Sequence, residues 1–247
     1  MKRTTYFLLV FLLSTFFTNA QDVNKSIDSI PDGPYFETKN GISVSGYYKD
    51  NLKTGNWIKF LKNGQINTVE FYEQGVKNGL SLTIDKRGYI TEQAEYLNDK
   101  LYGKKMVYSA GGKPELIENY KDGILDGLKI IYYKRGKQQE VSNYKNGVKD
   151  GVTKWYTPEG RIIAEYNYTS GVFNGVQLTY YPNDTLRKEQ IFDNDKSIGP
   201  YREYFENGKT KISGSYKNGM KSGKWLEYNK EGVLIKTTKF RKGIAGK

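Results

Sequence analysis

Cysteine and histidine are both absent from the 247 residues. No disulfide can form, and Ser–His, Cys–His, His–metal and thiolate–metal arrangements are all excluded. Oxidising compartments permit disulfides without requiring them, so this absence does not assign a compartment. Proline is sparse, at six residues, and apolar residues reach only 37%. With a mean hydropathy of −0.72, that composition argues against a deep core. No 3.6-residue apolar period survives beyond residue 20, so helix is a minor expectation.

What the chain does have is 22 tyrosines and 27 glycines, a composition that suits strands and tight turns. Lys2 and Arg3 precede an apolar run from Tyr6 to Phe17, followed by Thr18-Asn19-Ala20. This has the layout of an export signal cut after Ala20. The alternative, a membrane anchor, is disfavoured because the run is too short to cross about 30 Å of hydrocarbon as a helix. Export to a periplasm or beyond is therefore expected. Residues 1–20 carry two of the 39 cations and none of the 27 anions, so their removal leaves 37 − 27 = +10. A basic exported protein can meet anionic lipid, acidic polysaccharide or nucleic acid, and charge alone does not choose among them. Residues 21–32, QDVNKSIDSIPD, read as a flexible linker.

From residue 33 one unit recurs. Gly55, Gly79, Gly103, Gly127, Gly151, Gly175, Gly199 and Gly223 are each 24 residues apart, a spacing characteristic of stacked repeats. Units open at residues 33, 55, 79, 103, 127, 151, 175, 199 and 223. The first, residues 33–54, is two residues short, as terminal repeats often are. Counting from the opening glycine, position 6 is aromatic in all but one copy (Phe60, Ile84, Tyr108, Tyr132, Tyr156, Tyr180, Tyr204, Tyr228). Position 18 is aromatic in every copy, from Tyr48 and Tyr72 to Phe240. Aromatic neighbours on adjacent strands contribute roughly 0.2–1 kcal/mol per pair. Positions 10 and 21 hold Gly, Asp or Asn throughout, the types that tolerate positive φ. Asn63-Gly64, Asn146-Gly147, Asn207-Gly208 and Asn218-Gly219 are hairpin signals. Pro158 and Pro182 fall at position 8, where a fixed φ suits the second residue of a turn.

These regularities predict an all-β fold: an elongated, single-layer antiparallel meander of about nine stacked β-hairpins. About eighteen strands at roughly 4.8 Å each would give a sheet on the order of 85 Å long.

The pattern G-x-W-x-x-[YF]-x-x-N-G-(x)7-Y-x-N-G-x-x-x-G is nearly intact in Gly223-Lys224-Trp225-Leu226-Glu227-Tyr228 and in Asn218-Gly219-Met220-Lys221-Ser222-Gly223. It resembles the MORN repeat, and more closely the bacterial variant found in YwqK-type antitoxins. The resemblance covers residues 33–246. It implies a non-enzymatic array engaged in protein–protein contact, dimerisation or phospholipid binding; the antitoxin likeness implies neutralisation of a toxin by direct binding.

Carboxylate pairs such as Glu203 with Glu206, or Glu227 with Glu231, are the remaining acid–base candidates, but strand and turn carboxylates are usually solvated. The repeats also leave no room for a catalytic domain. No catalytic residue, cofactor or metal site is assigned. Asp193-Asn194-Asp195 lacks the downstream Gly and Glu of a calcium loop. Two sets of residues stand out as contacts. Trp57, Tyr201 and Trp225 at position 3, with Trp155 at position 5, face away from the position 4 and 6 rows; they are either partner contacts or cover for a bare sheet. Lys121, Lys145, Lys149, Lys217 and Lys221 recur near the turns and are candidate polyanion contacts, though Asp122, Asp126 and Asp150 interrupt that edge. A protein partner is the leading expectation. Anionic lipid or polysaccharide comes second and glycan stacking third; nucleic acid is not the expected ligand.

Overall fold

The computed structural model describes residues 30–246, so residues 1–20, read from sequence as an export signal, and residues 21–29, read as part of a linker, lie outside the described residues. One antiparallel sheet runs from β1 (Gly33–Lys39) to β21 (Ile244–Ala245). Each hairpin pairs with the next and the sheet does not close on itself. Of the 21 strand segments, β9 (Ile124–Leu125) and β10 (Gly127–Tyr132) are one strand interrupted at Asp126. Likewise β12 (Val148–Lys149) and β13 (Gly151–Tyr156) are interrupted at Asp150. The meander read from the glycine period is what forms.

Two turn types alternate, and each is dictated by its residues. Within a hairpin, three-residue loops close with Leu61 N–H donating to Gln65 O and Gly64 N–H to Leu61 O. The same pair of bonds recurs in the seven later loops. This is a type I turn followed by a left-handed residue, and Pro158 and Pro182 occupy its second position. Between hairpins, two-residue turns place positions 20 and 21 both at positive φ, as in Asn146 (49°) and Gly147 (82°). The first unit is short because Asn40 (55°) and Gly41 (76°) make a two-residue turn between Lys39 and Ile42, where the others have the longer loop.

The opening glycines have a separate role. Tyr47 pairs with Thr54 and Ser45 with Ile58, so Gly46 alone faces three residues, Gly55 to Trp57. Equivalent offsets of two residues occur at Gly79, Gly103, Gly127, Gly151, Gly175, Gly199 and Gly223. All eight glycines have positive φ, as a bulge requires. An even offset keeps each side chain on its face while sliding one hairpin along its neighbour. The slide brings the position 21 N–H to the position 23 carbonyl of the previous unit, as in Gly75 N–H to Lys53 O at 2.9 Å and Gly171 N–H to Lys149 O at 2.8 Å. Successive turns are thereby stitched along one edge.

The slide also decides which face is the core. Positions 3, 16, 18 and 23 share a face, and Trp57, Ala94, Glu118, Ser142, Thr153, Gln177, Gln190 and Trp225 on it are all buried. Sequence reading treats the position 3 face as the polar one. It is polar in composition, yet it is the covered face, because the position 18 rings and position 23 side chains fold across it. The fit is closest at the two ends. A Cβ on Gly46 would lie under 3.0 Å from the Trp57 ring, and one on Gly214 equally close to Trp225. Gly214→Ala should therefore destabilise the array by about 1–3 kcal/mol, the usual cost of overpacking, seen as a lowered thermal midpoint. An unchanged midpoint would mean that the ring does not lie there.

Candidate functional site

The ring face is organised as three clusters. At one end Trp57 meets Tyr35 (5.6 Å between centroids), Tyr48 (4.9 Å) and Tyr72 (6.3 Å). Lys53 Nζ lies 4.4 Å from the indole centroid. At the other end Trp225 meets Tyr201 (5.2 Å), Tyr216 (5.1 Å) and Phe240 (6.0 Å), with Lys221 Nζ at 4.2 Å. The second cluster repeats the first seven units later. Between them Trp155 stacks edge-on to Tyr166 at 5.0 Å, and Phe173 joins Tyr168 and Phe192. Offset and edge-to-face rings at these separations attract through their quadrupoles, and a cation over a ring adds to that.

Trp57 and Trp225 are 4% exposed, while Trp155 and Tyr201 are half-buried. All four therefore pack within the sheet, and only the latter two keep a rim in solvent. The Trp155 indole N–H donates to Glu140 Oε2 at 3.1 Å. Tyr201 donates to Glu203 Oε2 at 3.2 Å. Burial and the neighbouring Glu203 raise the Tyr201 phenol well above its ordinary pKa.

Between the clusters, ion pairs take the place of rings at position 3. Lys129 Nζ is 2.9 Å from Glu118 Oε1, and Tyr120 donates to Glu118 Oε2 at 2.8 Å. Burial pushes the Glu118 carboxyl up, but the Lys129 and Tyr120 hydrogen bonds outweigh it and leave its pKa lowered. Burial and the Glu118 contact push Tyr120 up to about 12. Lys149 bonds Glu140 at 2.8 Å and lies 4.8 Å from the Trp155 centroid. Beside these pairs, the buried hydroxyls of Ser142 and Thr153 have no hydrogen-bond partner among the described residues.

The lysines singled out from sequence divide three ways. Lys149 and Lys221 are held over rings. Lys121 and Lys145 are exposed and border a shallow depression of about 620 Å³, but Asp122, Asp126 and Asp150 line it too. Asp126 and Asp150 accept the N–H groups of Asn146 and Ser170 at 3.1 and 3.0 Å. Lys217 is exposed and forms no ion pair among the described residues. The five do not form one ladder.

Of the carboxylates considered for acid–base roles, Glu203 is bound to Lys211 at 2.7 Å and Glu227 to Lys236 at 3.2 Å. Asp195 caps a turn, accepting from Phe173 N–H at 2.7 Å. Among the described residues no three Asp or Glu side chains converge as a metal site would require. Sequence reading named Lys149 and Lys221 at position 23 as candidate polyanion contacts and missed that position 23 covers the rings. The signal was present in Lys53, Lys77, Lys149 and Lys221, each facing a position 18 ring across its two-residue turn.

The Glu118 pairing has a pH signature. A glutamate whose folded pKa is lowered stabilises the fold above its unfolded value, about 4.3, and that contribution is lost as pH falls through the folded pKa. Tyr120 has the opposite sign: its contribution is present below about 10 and lost as pH rises towards 12. Glu118→Gln should flatten the loss of thermal stability below about pH 4.3 and bring Tyr120 closer to an ordinary phenol in an absorbance titration. Unchanged profiles at both ends would dissociate the pair.

Three units match the family described as MORN repeat variant, over residues 149–169, 173–194 and 198–218. No curated protein matches the chain. The unmatched units share the glycine phase, the paired turns and the position 18 ring row of the matched ones. Residues 149–218 thus carry three repeats of the MORN variant type, and the chain is a repeat scaffold built on such units.

Proposed function

We propose that the chain is an exported, non-enzymatic scaffold that binds another protein, and that antitoxin-like or immunity-like neutralisation is the form of that role. The observation carrying this reading is the sheet face opposite the rings. Position 22 presents Leu52 (44% exposed), Ile124 (50%), Val148 (44%) and Met220 (45%), with Lys100 and Lys196 at the same place in two other units, and position 2 adds Leu80, Leu128 and Val176. Exposed apolar groups recurring along one face suit protein contact. The antitoxin element rests on the likeness to YwqK-type repeats, and export rests on the Lys2–Ala20 leader.

The same geometry gives less support to lipid or polysaccharide as the principal ligand. Lys149 and Lys221 are engaged with rings, and three aspartates sit around Lys121 and Lys145.

Ile124→Asp combined with Val148→Asp places charge in the middle of the apolar row. This variant should keep the strand-type circular dichroism spectrum and lose a stoichiometric protein partner that the unmodified chain recovers from envelope extract. Equal recovery by both, or capture that disappears at high salt as screened surface charge would, counts against the reading. Export is checked separately by mass spectrometry of the secreted or periplasmic fraction. A mature chain beginning at Gln21 is expected, and an intact Met1 chain confined to the cytoplasm would remove that element.

A further inference from the structure

The outermost full-length strands of the described sheet are β1 (Gly33–Lys39) and β20 (Leu234–Arg241), with the two-residue β21 (Ile244–Ala245) beyond the latter. Among the described residues β1 pairs only with β2 (Ile42–Lys49). β20 pairs with β19 (Met220–Tyr228), and β21 covers only its Phe240–Arg241 corner. Open ladders of this kind are ready templates for another strand. We propose that β1 of one copy adds to β20 of another, joining copies of this chain head to tail into a continuous sheet.

Three observations support a second copy as the occupant. The first is where the apolar exposure concentrates. Phe36 is 67% exposed, whereas its equivalents Ile58, Leu82 and Met106 are half-buried and Ile130 is 9% exposed. On β20 and its turn, Val233 is 60%, Leu234 49% and Ile235 63% exposed. Their apolar interior counterparts, Tyr89 (46%), Ile66 (38%), Ile90 (39%) and Ile163 (41%), are less exposed, and the other end of the array supplies a matching surface.

The second is charge. Residues 30–39 carry Asp32 and Glu37 against Lys39, a net of 2 anions to 1 cation. Residues 233–242 carry Lys236, Lys239, Arg241 and Lys242 with no anion. Two copies of the basic β20 edge would repel one another, whereas the mildly acidic β1 edge attracts it, so the pairing of unlike edges is the one electrostatics selects.

The third is register. Between interior hairpins, position 14 pairs with position 5 and position 15 with position 4, as in Lys188 with Glu203 and Glu189 with Arg202, or Ile212 with Glu227 and Ser213 with Leu226. Carried one unit past β20, this register sets Glu37 opposite Lys236 and Phe36 opposite Thr237, on the face that also bears Ile235. Tyr35 would then approach Thr238 as Trp57 approaches Gly46. β21 and the Gly246 N–H, which donates to Lys239 O at 2.7 Å, leave Leu234–Thr238 free, so the incoming strand begins where residues 244–246 stop.

Because the joined surfaces differ, the contact is heterologous and propagates instead of closing as a dimer. It stands whether or not the broad apolar face binds a protein. The test uses the full chain recovered from an exporting host, its N-terminus defined by mass spectrometry, with strand content checked by circular dichroism. In sedimentation velocity the unmodified chain should form a concentration-dependent series of oligomers that shrinks as salt rises. Phe36→Lys and Ile235→Lys each disable one edge, and each alone should stay monomeric at concentrations where the unmodified chain associates. Mixed in equal amounts they retain one intact pair of edges, so the mixture should form a heterodimer and nothing larger. A monomeric unmodified chain, association undiminished in either variant, or a mixture that stays monomeric would overturn the proposal.

Discussion

The structure depends on laying a ring across a neighbouring strand at a point where that strand offers almost no side chain. A single-layer sheet has no second layer to bury against, so its core must come from its own residues folding over the surface. Trp57 lies on Gly46 and Trp225 on Gly214, each flanked by position 18 rings and covered by a lysine. Elsewhere the small residues are Ala94 and Ser142 at position 16 and Ala164 at position 14, all buried. The two-residue offset at every opening glycine makes the fit possible. It slides one hairpin until position 3 of its strand meets position 16 of the one before.

Where position 3 lacks an aromatic ring, the face is closed by hydrogen bonds and ion pairs. Lys129, Glu118 and Tyr120 form one such group, and Lys149, Glu140 and Trp155 another. Ion pairs in a covered setting have desolvation to overcome, and here the hydrogen bonds from Lys129 and Tyr120 to Glu118 and from Lys149 and Trp155 to Glu140 offset it. The same closure occupies lysines that a reading of charge alone would leave free for ligands. What remains available is the opposite face, with its recurring apolar positions, and the two outer edges.

Most of the architecture was legible in the residues. The 24-residue glycine phase gave the hairpins and their number. Gly, Asn or Asp at positions 10 and 21 adopts positive φ in the described copies, including Asp184 at 65° and Asp195 at 61°. The choice of core face was not legible. Positions 3 and 16 hold Trp and Gly at the ends but Lys with Glu118 or Ser142 in the middle, so no hydrophobic alternation marks them as buried. Their partners lie one hairpin away, and the bulge that aligns them is a property of register, which a sequence shows only as a repeated glycine. Lys149 and Lys221 were misleading because each folds back over a tryptophan of its own strand, Trp155 and Trp225, and over a ring of the next, Tyr168 and Phe240.

The central claim is that the ring face, polar as its composition is, forms the core. Three variants that each retain one tryptophan, with the other two replaced by phenylalanine, test it most directly through acrylamide quenching. Trp57 and Trp225 should emit at short wavelength and resist quenching, with Trp155 intermediate. Long-wavelength emission and ready quenching of Trp57 and Trp225 would place those rings in solvent and contradict the account.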